Sequence, residues 1–250
     1  MRRIIIYFAA VFIFGFSAYA QSNKLKQAND SYIKRDYTQA AKFYEEIISH
    51  DGVAPELYYN LGNAYYKSNE IGRSILNYER ALRLSPLYDD ASFNLDLAQQ
   101  KVVDNIVQAP TFFLGRWIEN LIKVLTSNQW FIFSFIVFIL FLGFSFLFLF
   151  GSSRQSRKTS FYIGIVFLFF SLISFIFAGV RKDQLQNHHE AIVMQGVVVV
   201  KSSPDKSGTD LFQLHEGTKV SIKSSLGQWV EIQLGNGNVG WVEGQSIEKI

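Results

Sequence analysis

Cysteine is absent from the 250 residues. Neither disulfides nor thiol chemistry therefore contributes to this protein, even in an oxidising compartment. Net charge is nearly absent too: a formal +3 leaves no electrostatic footprint for nucleic acid, and no such partner is expected. Catalytic patterns are missing as well. The four histidines, His50, His188, His189 and His215, show no HExxH or comparable spacing, and neighbours such as His188 and His189 do not converge on a metal without a further ligand. His188-His189-Glu190 reads as a polar linker, and no metal is expected. No Gly-rich phosphate loop precedes a helix, since Gly235-Asn236-Gly237 lies between strand-like segments. No Ser/His/Asp set is identifiable. The chain reads as a non-enzyme without a cofactor, and its task is recognition.

What is present first is a repeat. Ala28, Ala40 and Tyr44 recur as Gly62, Ser74 and Tyr78, and Asn29, Tyr32 and Asp36 as Asn63, Tyr66 and Glu70, at a spacing of 34 residues. A partial third copy sets Phe93 and Asn94 opposite Tyr59 and Asn60. The clearest copy is PELYYNLGNAYYKSNEIGRSILNYERALRLSP, Pro55 to Pro86. Gly62 and Ser74 stand where two helices approach closely, and Tyr65 and Tyr78 fill the space between helices. Pro86 ends the second helix, having no amide hydrogen to donate. Tyr58, Leu61-Gly62, Tyr65, Ser74, Tyr78, Ala81 and Pro86 resemble the tetratricopeptide repeat (TPR) at nearly every signature position. Residues 21–107 are expected to hold two such repeats plus one capping helix from Asp89 to about Val107. That helix would cover the apolar face left open by the second repeat.

Long uncharged apolar runs set the location. Residues 1–20, MRRIIIYFAAVFIFGFSAYA, have a basic start, a short apolar run and a small-x-small end at Ala18-Tyr19-Ala20, the form of a signal peptide; the alternative is an uncleaved anchor. Two further runs have the length of bilayer spans, one within 128–150 and one within 160–180. The loop between them, 151–159, holds Arg154, Arg157 and Lys158, which favours the cytoplasmic side. Two spans return the chain to its starting side, so residues before and after them should both face outward. Neither span carries Asp, Glu, Lys, Arg or His, which argues against a transporter. Gly164, Ser171, Ser174 and Ala178 permit close helix approach, within the hairpin or to a partner.

Residues 108–127 form an amphipathic segment. Phe113, Trp117, Ile118, Leu121, Ile122 and Leu125 recur at helical spacing, with Arg116, Glu119, Asn120 and Lys123 opposite. It reads as a helix on the membrane surface, in contact with lipid; the alternative is packing on the repeats. After a linker at 181–190, residues 191–250 turn rich in Val, Ile and Gly. Strand patterns cover Val197–Lys201, Lys219–Lys223, Trp229–Leu234 and Val239–Glu243, with a tight hairpin at Asn236-Gly237. Five or so short strands suggest a small barrel. VVVVKSSP, LHEGTKVSI, QWVEIQL and GNVGWV resemble a bacterial SH3-like (SH3b) domain. Trp229 and Trp241 offer a ligand face on it, or else barrel core. The fold class is thus a multidomain membrane protein: helical repeats, a transmembrane hairpin and a small all-β barrel.

The TPR resemblance implies that the first helix of each repeat lines a concave groove. Asn29, Tyr32, Tyr59, Asn60, Asn63, Tyr66, Phe93 and Asn94 fall there. Asparagine holds an extended peptide through paired donor and acceptor. Asp90 and Asn94 stand where a carboxylate clamp needs basic residues. In its order of parts, and in its FLGRWIENL segment, the chain resembles the BatE proteins of the Bacteroides aerotolerance (Bat) group. That resemblance implies an inner-membrane adaptor with both domains periplasmic, working beside membrane proteins that carry von Willebrand A domains, in a complex linked to aerotolerance or envelope stress. A second reading is a peptidoglycan-binding envelope protein acting through the SH3-like domain.

Overall fold

The computed structural model describes residues 24–104, 106, 113–187 and 189–250. The signal-peptide segment 1–20 and His188 lie outside them. The chain divides into two compact units, one built from residues before 110 and after 187, the other from the segment between.

The first unit begins with antiparallel helices: α1 (24–33), α2 (Tyr37–Asp51), α3 (Pro55–Lys67), α4 (Ile71–Leu84) and α5 (Asp89–Gln99). Turns one period apart use left-handed residues, Arg35 (φ 65°) and Asn69 (φ 63°). Asp36 caps α2 by accepting from Gln39 N–H at 3.1 Å. The small residues act as expected. A Cβ on Gly62 would meet the Tyr78 ring at 2.7 Å, and Ser74 Oγ, fully buried, donates to Gly62 O at 2.9 Å. Leu61, Tyr65, Tyr78 and Ala81 are buried with them.

Helix α5 is shorter than the sequence suggested. It stops at Gln99, and the chain then runs along the C-terminal sheet. The physical reason is a set of better partners: Asp104 accepts from Thr218 Oγ1 (2.6 Å) and His215 N–H (2.7 Å), and its other oxygen lies 2.7 Å from His215 Nδ1. Burial pushes the Asp104 carboxyl up, but these hydrogen bonds outweigh it and hold the group below its ordinary value.

The sheet has seven antiparallel strands in the order β3-β2-β6-β5-β4-β1-β7. They are β1 (Glu190–Val193), β2 (Val197–Lys201), β3 (Asp210–His215), β4 (Lys219–Leu226), β5 (Trp229–Gln233), β6 (Val239–Glu243) and β7 (Ile247–Lys249). β4 pairs with β1 at its start and with β5 along its length, with a bulge between Ile222 and Ser224. One core of Val193, Val198, Val200, Leu214, Val220, Ile232 and Val242 lies inside the coiled sheet.

Helices and sheet also share a core. Ile75, Leu76, Tyr78, Leu95 and Ala98 pack with Ile192 and Ile250 in one buried cluster. Gly217 (φ +88°) makes the approach possible, since a Cβ there would lie 2.8 Å from Val102 and 3.0 Å from Ile75. Beside it, Glu216 Oε1 accepts from Gly72 N–H at 2.9 Å. It thus satisfies the first turn of α4, which has no side-chain cap of its own, and places a carboxylate at the positive end of the helix. Lys219 bridges Glu79 (3.0 Å) and Glu190 (2.9 Å), and Arg80 pairs with Glu248 (2.9 Å). Each large buried side chain contributes about 1.5–3 kcal/mol, whereas part-exposed ion pairs contribute about 0–1. The shared core therefore holds this body together, and the ion pairs set its register.

The second unit comprises α6 (Phe113–Lys123), α7 (Ser127–Phe150) and α8 (Arg154–Gln186). Thr126 and Gln129 form a reciprocal capping box at the start of α7 (3.2 and 2.9 Å), and Trp130 Nε1 donates to Ile122 O at 3.0 Å. α7 and α8 have mean hydropathies of 2.8 and 2.6 in their most apolar windows, long and apolar enough to cross a membrane. Their apolar side chains point outward: Phe131, Phe146, Phe169 and Phe175 are all more than half exposed. The small residues point inward. Ser134 Oγ donates to Ser171 O (2.9 Å) and Ser171 Oγ to Ser134 O (3.1 Å), and Gly164, Ser174 and Ala178 are buried on α8. The expected loop at 151–159 is tighter than that: Ser153 caps α8 by accepting from Ser156 N–H at 3.0 Å, so Arg154, Arg157 and Lys158 lie in the first turns of the helix.

Candidate interaction surfaces

The groove residues come from α1, α3 and α5. A single bond repeats with the 34-residue period. Tyr44 Oη donates to Asn29 Oδ1 at 2.6 Å, and Tyr78 Oη donates to Asn63 Oδ1 at 2.7 Å. Each tyrosine is buried on the second helix of its repeat and reaches across to the first. Burial pushes the Tyr44 hydroxyl up to about 12 and that of Tyr78 up as well. Both therefore stay protonated donors throughout the physiological range.

Asn94 joins the same network, with Nδ2 donating to Asn63 Oδ1 (2.8 Å) and to Tyr59 Oη (3.3 Å). Asn63 Oδ1 thus accepts twice, and only its Nδ2 end is left for a ligand. Asn29 likewise has its oxygen engaged. Asn60, half-buried one turn earlier on α3, makes no side-chain hydrogen bond to any described residue. Its full amide is available. Tyr59 lies between Tyr78 (6.2 Å between ring centroids) and Tyr88 (5.1 Å). Tyr32 meets Tyr37 edge-on at 5.2 Å. Tyr66 carries the Lys101 ammonium 4.1 Å above its ring, and Phe93 is 64% exposed. The result is a tyrosine-lined surface whose asparagines are partly locked by internal bonds and partly open. Sequence reasoning placed the asparagines by period but missed the locking, although Tyr44 and Tyr78, also one period apart, were the signal for it.

The tryptophans lie on a second surface. Val230 and Ile232 turn inward from β5, and Gly240 and Val242 inward from β6. Side chains alternate along a strand, so Trp229 and Trp241 stand on the outer face. Trp229 pairs with Glu243 and Trp241 with Glu231, which makes the two indoles diagonal neighbours on adjacent strands. Neither belongs to the buried core, and both are half-buried. The helices are engaged elsewhere on the sheet, by β1, β7 and the β3–β4 turn.

Of the remaining histidines, His50 is exposed, His215 faces Asp104, and His189 contributes its backbone oxygen to Ile222 N–H at 2.7 Å. Among the described residues no three His, Cys, Asp or Glu side chains converge as metal ligands.

Comparison with known proteins agrees with this geometry. Residues 55–88 match the tetratricopeptide repeat, and residues 196–248 match the bacterial SH3 domain. No curated protein matches the chain. Both matched families are non-catalytic, and their members act in protein–protein interaction or, for the bacterial SH3 domain, in peptidoglycan binding.

Proposed function

We propose that this protein is a membrane-anchored adaptor that presents one composite recognition body on the periplasmic face of an inner membrane. One observation carries the reading. The helical repeats and the sheet lie on opposite sides of the apolar hairpin in sequence, yet share a buried core at Ile75, Leu76, Ile192 and Ile250. A body with one core sits on one side of a membrane, so the hairpin enters and leaves from that side. The charge pattern supports the orientation. Arg154, Arg157 and Lys158 crowd the start of α8, where the helix dipole disfavours cations. Helix stability does not account for them there, whereas anchoring in the cytoplasm does.

In this reading the groove around Asn60 and Asn63 takes an extended protein segment. The order of parts supports partners like those of the Bat group, membrane proteins with von Willebrand A domains, in a complex serving aerotolerance or envelope stress. Helix α6 lies against lipid, with Trp117, Ile118 and Leu121 exposed along one side. Photocrosslinking from Asn60 in intact cells tests the partner: capture of a von Willebrand A membrane protein is expected, and recovery of cytoplasmic proteins alone would overturn both partner and orientation. A second reading has its own support in the outward diagonal pair Trp229 and Trp241, a stacking platform suited to peptidoglycan. Retention of the chain on purified peptidoglycan, lost in Trp241→Ala, separates the two.

A further inference from the structure

The outer face of β5 and β6 carries more than its two tryptophans. Trp229 stands opposite Glu243, and Glu231 opposite Trp241. Residues two apart on a strand share a face, so indoles and carboxylates alternate as a checkerboard of four. Each row across the two strands holds one indole and one carboxylate, and the rows lie about 6.8 Å apart. All four residues are half-buried.

The two carboxylates lack a counter-charge. A glutamate drawn partly out of water is ordinarily paired. Glu231 Oε2 accepts from Ser224 Oγ at 2.8 Å, and Glu243 Oε2 accepts from Gln245 Nε2 at 2.7 Å. Both donors are neutral, and each Oε1 is left without a hydrogen bond from any described residue. Among the described residues no lysine, arginine or histidine forms an ion pair with either glutamate. The cation in register with them, Lys201 opposite Trp241 on β2, is already held by Asp210 at 2.6 Å.

We propose that this face binds an extended basic segment of a partner protein, with lysine or arginine at alternate positions. One cation seats in each row, against an indole face and beside a carboxylate. Alternate residues of an extended peptide repeat at the same spacing as the rows. Indole holds a cation more strongly than the other aromatic side chains, and the carboxylates add the charge complementarity that selects a positive partner. Peptidoglycan matches the face less well, since its stem peptides bring carboxylates that Glu231 and Glu243 repel. The site rests on the adaptor reading and gives it a second point of contact, separate from the Asn60 groove.

The test uses the full chain labelled with 5-fluorotryptophan, in nanodiscs of zwitterionic lipid that offers basic peptides no net charge. Trp117 and Trp130 belong to the other unit and serve as reference signals. Titration with acetyl-Arg-Ser-Arg-amide should shift Trp229 and Trp241 saturably and leave the references in place. Glu231→Gln and Glu243→Gln, which keep shape and remove charge, should each weaken binding about fivefold, the contribution of one surface ion pair. The double variant should abolish saturation. A flat titration, or saturation that survives the double variant, overturns the proposal. So does tighter binding of the neutral sugar triacetylchitotriose, which would assign the face to glycan. A flat titration with crosslinking from Asn60 intact removes this site alone and leaves the adaptor groove standing.

Discussion

The two units are built inside out relative to one another. In the helix–sheet body, aliphatic side chains such as Ile75, Ile192 and Val242 are wholly buried and the ion pairs stand at the margins. In the hairpin, phenylalanines face outward and the hydroxyls of Ser134 and Ser171 are hidden against the partner helix. On the proposed placement of the hairpin in lipid, the same apolar residues do opposite work because the surrounding solvent differs. In water, association is driven by hiding apolar area. In lipid that drive vanishes between helices, and small residues with interhelical hydrogen bonds remain.

The largest expected effect breaks this contrast at the shared core. Ile192→Ala should destabilise the first unit by about 2–5 kcal/mol. Hydrogen exchange should then quicken in α4 and the sheet together, with α7 and α8 unchanged. Faster exchange in the sheet alone would mean that helices and sheet are separate bodies. Asp104→Ala comes next. It strands the donors of Thr218 and His215 at a cost of about 2–3 kcal/mol, read as loosened sheet–helix docking.

The same carboxylate sets an acid limit. Its folded pKa is depressed, so its contribution is present above the ordinary value of 3.8 and is lost as pH falls through the folded value. Lys219 sets the basic limit. Burial pushes its ammonium down, but Glu79 and Glu190 outweigh this and raise it. Its contribution is therefore present below 10.5 and lost as pH rises through the folded value. Docking measured by exchange should stay flat between these limits. A transition near neutrality would show that another group controls it.

Glu216→Ala removes the carboxylate that serves the start of α4 and should cost about 1 kcal/mol, seen as fraying at Gly72. The smallest effect sharpens the contrast from the lipid side. Ser134→Ala should weaken the hairpin by only about 0.6 kcal/mol, as measured for hydrogen bonds between membrane helices. A loss of several kcal/mol would show that polar contacts dominate there.

Legibility in the sequence followed distance along the chain. Gly62, Ser74 and Tyr78 declared a close helix pair because they meet within one repeat, and period-two runs declared β2, β5 and β6. Of the groove, the period revealed which asparagines share a face. It did not reveal that Tyr44 and Tyr78 occupy the oxygens of Asn29 and Asn63 and leave Asn60 open. Contacts joining helices to sheet were invisible: Glu216 meets Gly72 across 144 residues and Lys219 meets Glu79 across 140.

By itself the sequence determined the list of parts: a helical repeat of period 34, two uncharged membrane-length runs and a strand-rich end. Each follows from local periodicity, which a chain carries whatever its tertiary partners. Only the tertiary structure decided that the first and last of these parts are one body and that Trp229 and Trp241 face out from it. Complementarity between surfaces more than a hundred residues apart has no period along the chain and comes into being only when Ile75 and Ile192 exclude the same water.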